Sequence, residues 1–292
     1  MALPPSAPDG LQGAARVLTG LLEARTGQLL SENRAWRMET ALRPVIRAHG
    51  LKDIDDVAAE LLRGRNPGLE RDVVNALLNN ESSFFRDLQI FDMIHKDILP
   101  RIREERADRT LRVWSAGCST GQEAYSLAIR LQNEAARWQG WRIEILATDI
   151  STAAIEQAKS GVFSQMDVQR GLAVGDLIKW FAPHGEDWRA SAELRAMIDF
   201  RHDNLFDPRA PIGQYDLILC RNVLLYFTPE RRQAVLGLLA RHSHAQTILL
   251  LGAGETVIGQ GDDFAPHPEF RGSYGRKVAL PDCAGGPMRR TA

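Results

Sequence analysis

The chain has 292 residues, 44% of them hydrophobic and 25% charged, with a formal net charge of -1. That is enough chain to bury the cores of one or two domains. The balanced charge excludes a global basic footprint for nucleic acid, and three widely spaced cysteines (Cys118, Cys220, Cys283) exclude a disulfide framework.

Residues 1–12 are Pro-rich and read as a disordered tail. They lack the basic-then-apolar order of a signal peptide, and no apolar run approaches the ~18 residues of a membrane span. A cytoplasmic protein without membrane insertion is therefore expected. Residues 13–79 show apolar positions at spacings of three and four: Leu18, Leu21 and Leu22, then Leu42, Val45 and Ile46, then Val57, Leu61 and Leu62, then Val73, Val74 and Leu77. This predicts a small helical module. Asp53 to Asp56 reads as a helix start, and Arg63 to Gly68 (RGRNPG) as a turn. A linker segment, residues 80–110, follows, with a helix from Arg86 to about Arg106.

From residue 111 the texture changes. LRVWSAG reads as a strand, Gln122 to Trp138 as a helix, and RIEILATDI as a second strand. Ser151 to Ser160 is a helix capped by Ser151. Strands are expected at Met197–Phe200, in YDLILC and in TILLLGAGE, with a helix from Pro229 to His242. This βαβ rhythm predicts an α/β fold with a doubly wound, mostly parallel, Rossmann-like sheet over residues 111–280. A stretch at about 171–200 breaks the rhythm and reads as an insertion. Residues 281–292 read as a second disordered tail.

The strand VWSAG ends in the turn GCSTGQE. Gly117 and Gly121 allow a ligand close to the main chain, at the strand end where open parallel sheets bind ligands. The next strand ends in Asp149, whose carboxylate is suited to the two hydroxyls of a ribose. Dinucleotide sites use G-x-G-x-x-G with an acid ~20 residues on. Here the turn is G-x-x-x-G, and Asp149 stands 28 residues after Gly121. No phosphate loop is present. The pattern fits S-adenosylmethionine (SAM), which has no pyrophosphate, better. Glu123 is placed for the ammonium or another polar group of that cofactor. NNESSFFRD (Asn79–Asp87) is either a linker anchored by Phe84 and Phe85 or a segment folding over the cofactor, with Arg86 offering donors to a carboxylate. Arg221 and Asn222, at the end of YDLILC, point toward the same crevice or serve the fold alone. Cys118 and Cys220 read as packing residues. His242 and His244 lack the partners of a metal site, so no metal is expected.

Together NESSFFR, VWSAGCSTGQEAYS, ATDIS and CRNVLLYF, with DNL at 203–205 and GAGE at 252–255, resemble the chemotaxis receptor methyltransferases, the CheR family. The resemblance runs from about Gly13 to Lys277. It implies a SAM-dependent protein-glutamate O-methyltransferase acting on receptor glutamates, with a helical receptor-recognition domain and a small β insertion. It implies that Asn80, Ser82, Arg86, Gly117, Glu123, Asp149, Asn204, Leu205, Arg221 and Asn222 border the cofactor, Asn204 and Leu205 at the adenine. Arg221 and Tyr226 would serve the reacting centre by orienting the acceptor carboxylate. Ser82 replaces the usual threonine and keeps the hydroxyl. The insertion, WFAPHGEDW, lacks the G-x-G pattern of members that tether to a receptor's C-terminal pentapeptide, so engagement of the receptor's cytoplasmic helices without that tether is implied. Arg34, Arg37, Arg43 and Arg47 form either a receptor-binding face or an ordinary solvated one. The Asp/Asn-Pro-Pro-Tyr/Phe segment of nucleic-acid amino-methylases is absent. A non-catalytic SAM-sensing scaffold is the alternative.

Overall fold

The computed structural model describes residues 9–30, 38–207 and 213–277. Helix α1 (Asp9–Thr26) opens the fold. Its first turn corrects the expected tail: residues 9–12 are helical. A helix nucleated around the buried Leu18 and Leu22 extends at little cost per residue, and Gly10 and Gly13 lower the propensity without stopping it. Residues 1–8 and 278–292, which include the expected second tail, lie outside the described residues, as do Arg34 and Arg37.

Helices α2 (Met38–Ala48), α3 (Ile54–Arg63) and α4 (Pro67–Leu77) pack with α1 around a core of their own, centred on Leu18, Leu42, Val57, Leu69 and Val73. Asp53 caps α3 by accepting the Asp56 N–H at 2.9 Å. Asn66 caps α4, with Pro67 at its first position, so the RGRNPG turn falls between them. The linker helix is split into α5 (Leu88–Met93) and α6 (Leu99–Glu105) by one π-turn, Ile94–Ile98. Pro100 has no N–H for the carbonyl four residues earlier and crowds it, and a widened turn relieves both.

The rest of the chain alternates β1 (Thr110–Ala116), α7 (Gln122–Asn133), β2 (Arg142–Asp149), α8 (Thr152–Ser160), β3 (Val162–Phe163), β4 (Phe181–His184), β5 (Asp187–Ala190), β6 (Ile198–His202), β7 (Tyr215–Cys220), α9 (Pro229–Arg241), β8 (Ser243–Leu251), β9 (Phe264–Pro266) and β10 (Ser273–Arg276). Seven strands form one sheet in the order β6-β2-β1-β7-β8-β10-β9. The first five run parallel, and β10 is antiparallel to both its neighbours. All six residues of β7 are buried, as a strand covered on both faces requires. One face carries Phe84, Ile98, Tyr125, Phe163 and Phe200; the other carries Trp114, Ile218, Val235 and Leu249. This is the expected doubly wound, mostly parallel sheet.

Three details depart from the sequence reading. The helix expected to run to Trp138 ends at Asn133, and a 3-10 turn, Ala135–Trp138, follows. The insertion is a three-stranded antiparallel sheet, β3-β5-β4, which draws in Val162–Phe163 ahead of residue 171, while residues 198–200 belong to β6 of the main sheet. The pair β9 and β10 went unread because both strands are short and interrupted by Pro266 and Gly275.

The strand order fixes where a ligand crevice opens. From β1 the chain moves outward through β2 to β6, then returns to β7 on the other side of β1. The two directions diverge between β1 and β7, so their carboxyl ends face a gap.

Candidate active-site cleft

The turn after β1 is pinned to β2, since the Gly117 and Cys118 N–H groups both donate to the Thr148 carbonyl, at 2.8 and 2.9 Å. Gly117 has φ +80°, and a Cβ there would lie 2.4 Å from Val223 Cγ2, so the turn presses directly on the loop after β7. Ser119 also adopts a left-handed backbone, φ +52°. Its N–H donates to Asp149 Oδ2 at 2.7 Å, and its hydroxyl donates to the Asn80 carbonyl, also at 2.7 Å. Asp149 Oδ1 accepts the Ser151 N–H at 2.8 Å. The carboxylate thus keeps acceptor capacity for a further donor. Burial pushes the Asp149 carboxyl above its ordinary value, and the backbone N–H groups of Ser151 and Ser119 pull it back.

Glu123, in the first turn of α7, is not a free carboxylate. Its Oε1 accepts the Ser115 hydroxyl at 2.7 Å, and its Oε2 accepts Arg221 Nη1 at 3.0 Å. Arg221 Nη2 donates to Asp87 Oδ2 at 2.5 Å and to the Arg86 carbonyl at 2.8 Å. The Arg221 side chain is 2% exposed, and its Nε is buried without a hydrogen-bond partner among the described residues. Both terminal nitrogens of Arg221 are therefore engaged by the protein itself, through Glu123, Asp87 and the Arg86 carbonyl.

The segment Asn79–Asp87 forms a strap across this cleft. Phe84 is buried edge-on against Phe163 and Phe181, with ring centroids 5.0 and 5.6 Å away. The Phe85 N–H donates to Ser126 Oγ at 2.9 Å. A Cβ on Gly171 would stand 2.0 Å from the Phe84 carbonyl oxygen, so insertion and strap meet backbone to backbone. Phe85 and Asp87 have φ of 48° and 60°, and Asn222 has 59°. Four of the five non-glycine residues with positive φ among the described residues (Phe85, Asp87, Ser119, Asn222) surround this one cleft.

On the far wall, the loop after β7 hangs from Glu255, whose carboxylate accepts the N–H groups of Asn222 at 2.8 Å, Gly252 at 2.7 Å and Leu225 at 3.1 Å. This positions Tyr226, whose hydroxyl accepts a hydrogen bond from Asn79 Nδ2. Asn204 donates to the Arg25 carbonyl at 3.2 Å and accepts the Phe206 N–H at 3.0 Å, tying α1 to the loop after β6.

The cleft so bounded spans about 920 Å³, its open mouth included, within the size of small-molecule sites. Asn80, Ser82, Arg86, Gly117, Glu123, Asp149, Asn204, Leu205, Arg221, Asn222 and Tyr226 all line it. Thr26, Gln28 and Asn79 from the helical module, and Phe206, line it as well. Sequence reasoning missed these, along with Ser119, Asp87 and Glu255. Of the missed residues, Asn79 and Asp87 lie within the quoted strap and Ser119 within the glycine turn, whereas Thr26 and Gln28 carry no local signal. Cys118 is buried, and burial together with the Asp149 and Glu123 carboxylates raises its thiol well above the ordinary range, which suits a packing residue. His244 pairs with Asp216 at 3.0 Å and His242 with the Gly213 carbonyl at 3.0 Å. Among the described residues, no helix is long and apolar enough to cross a membrane.

Residues 80–270 match the family model described as "CheR methyltransferase, SAM binding domain". The chain is 32% identical over 252 residues to a chemotaxis protein methyltransferase of Vibrio parahaemolyticus, covering 85% of this chain and 91% of that one. It is 31% identical over 240 residues to chemotaxis protein methyltransferase 1 of Pseudomonas aeruginosa, covering 81% and 87%. On this match and these identities, the chain belongs to the CheR methyltransferase family, with its cleft inside the segment that matches the SAM-binding domain.

Proposed function

We propose that the chain transfers the methyl group of SAM to glutamate side chains of chemotaxis receptors, giving glutamate methyl esters and S-adenosylhomocysteine (SAH). The observation that carries this reading is the convergence, in one cleft of a chain from this family, of the Asp149 carboxylate at the end of β2 with the strap's Arg86 guanidinium.

The donor set suits the cofactor. Asp149 keeps acceptor capacity for a ribose hydroxyl, and among the described residues Arg86 leans only on the Glu81 carbonyl, at 3.4 Å, leaving donors for a carboxylate. In this reading Asp149 holds the ribose and Arg86 the methionyl carboxylate. Asn204, Leu205 and Phe206 border the adenine, and Asn80, Ser82, Gly117 and Asn222 complete the walls. When bound, SAM would supply a sulfonium methyl that a carboxylate oxygen takes, with SAH as the leaving group.

The acceptor glutamate is already ionised at neutral pH, so the chain needs no general base. Its work is alignment and exclusion of water. Arg221 is assigned a positioning role: it locks Glu123 on α7 to Asp87 and the Arg86 carbonyl on the strap, which sets where Arg86 stands. Tyr226 orients the acceptor carboxylate through its hydroxyl. The helical module recognises the receptor. Arg43 and Arg47 are exposed and four residues apart on α2, hence on one face, complementary to an acidic receptor helix. The β4–β5 hairpin turns at Gly185–Glu186 without a G-x-G pattern, in keeping with engagement that needs no C-terminal tether.

The test uses SAM labelled in its methyl group, incubated with cytoplasmic receptor fragments. Base-labile volatile methanol, absent with fragments whose glutamates are changed to alanine, is the expected result. Retained SAH binding by calorimetry, with no methanol from any fragment, would overturn the catalytic reading in favour of a sensing scaffold.

A further inference from the structure

We propose that Asn79 is a positioning residue for methyl transfer, acting by fixing the direction of the Tyr226 hydroxyl proton. The inference rests on the function proposed above, and the pattern N-x-[TS]-x-FFR that carries the family resemblance begins only at Asn80.

Asn79 stands just past α4, at the end of the helical module, and its amide lines the cleft. Its Nδ2 donates to Tyr226 Oη, across 147 positions of sequence. The same module also holds the other end of that residue, because the Leu29 N–H donates to the Tyr226 carbonyl at 2.8 Å. Tyr226 closes the 3-10 turn Leu224–Tyr226, whose Leu225 N–H is held by Glu255 at 3.1 Å. Three separate parts of the chain thus determine where the phenol sits.

The chemistry follows from the donor inventory. A phenol oxygen has one proton and two lone pairs, and an amide NH₂ only donates. With Asn79 occupying a lone pair, the phenol proton is turned toward some other acceptor. An ionised glutamate entering the cleft is an acceptor-only group. Asn79 therefore makes Tyr226 a donor to the acceptor carboxylate, and aligning that carboxylate is the step on which the reaction depends. An aspartate at position 79, of nearly the same shape, would reverse the polarity. Its carboxylate would claim the phenol proton and turn it away from the substrate.

The experiment is a double-mutant cycle on the full chain: wild type, Asn79→Asp, Asn79→Ala, Tyr226→Phe, and each Asn79 variant combined with Tyr226→Phe. Methyl transfer to receptor fragments is read together with SAH affinity by calorimetry. Asn79→Asp is expected to lower kcat about tenfold or more and Asn79→Ala by less, with SAH affinity kept within about twofold. In the Tyr226→Phe background either change should alter kcat by less than about twofold, because the hydroxyl it acts on is gone. Losses that multiply across the two sites would overturn the proposal, as would a parallel loss of SAH affinity, which marks a merely structural tie. If the wild type labels no fragment, the proposed function fails and this inference falls with it. If the wild type labels and the losses multiply, only the inference fails.

Discussion

Replacing Arg221 by methionine removes the guanidinium that joins α7 to the strap. The structure gives it three charge-assisted hydrogen bonds: to Glu123 at 3.0 Å, to Asp87 at 2.5 Å and to the Arg86 carbonyl at 2.8 Å. Breaking a buried ion pair from one side costs about 3–5 kcal/mol, because the orphaned charge stays buried. Glu123 is 14% exposed and will feel this in full, whereas Asp87 is 40% exposed and screened by water. The lower end, about 3 kcal/mol, is therefore expected, and at ~2–4 °C per kcal/mol it lowers the unfolding midpoint by about 6–12 °C. Circular dichroism melts of wild type, Arg221→Met and Arg221→Met/Glu123→Gln measure it. The double variant should recover about 1–2 kcal/mol, since its side chain no longer carries the stranded charge. Methyl transfer should fall in Arg221→Met because Arg86 loses its fixed position. An unchanged midpoint, or a double variant no more stable than the single, would refute the assignment of Arg221 as the latch between Glu123 and the strap.

Three further outcomes are expected. The affinity for SAH should weaken on acidification beginning above the ordinary carboxylate value of 3.8. The Asp149 carboxyl is raised by burial, so protonation removes an acceptor at a higher pH than a solvated aspartate would; for the same reason ionised Asp149 costs the unliganded fold stability, a cost that grows as pH rises through its folded value and is absent below the unfolded one. A calorimetric pH series with Asp149→Asn as control decides it: equal pH dependence in both chains would exclude Asp149. Gly117→Ala should destabilise the fold by about 2 kcal/mol or more through its positive φ and its collision with Val223, and Gly117→Ala/Val223→Ala should regain only the collision part; full recovery in urea melts would show that φ carries no strain. Reversing charge at Arg43 and Arg47 should weaken receptor-fragment binding severalfold, more at low salt than high, with SAH affinity unchanged; binding that ignores both substitutions and salt would move the receptor face elsewhere.

The parts of this molecule that sequence exposes are those governed by local periodicity and by residue types with few uses. The buried run YDLILC, the capped start at Asp53 and the glycine turn at Gly117 each state their own structure. Asp149 at a strand end states a chemistry. What escaped notice depends on long-range placement. Thr26 and Gln28 reach the cleft only because α1 docks beside Asn204 and Arg231, the latter through a 3.2 Å bond to the Glu23 carbonyl. Glu255 stands in the GAGE segment, but its place under three N–H groups is set only by the fold. Arg221 was legible as a cleft residue, but its role was not, because its partners Glu123 and Asp87 lie 98 and 134 positions away in sequence. The π-turn before Pro100 and the short β9–β10 pair were hidden by segments too brief to show a period.

The strap also sets an order of assembly during synthesis. The four-helix module carries its own core and is complete once Leu78 has been made. The strap that follows immediately has nothing of its own to bury against. Phe85 waits for Ser126, Phe84 for Phe163 and Phe181, Asp87 for Arg221, and Asn79 for Tyr226. Closing contacts so distant along the chain is slow, because the loop must be ordered before any contact rewards it. A ribosome-bound chain that has passed its first eighty residues therefore displays two adjacent phenylalanines to the cellular milieu until almost half the remaining sequence has emerged. Those two aromatics are where a chaperone would find this nascent chain, and the cleft forms only after the strap's distant partners have been made.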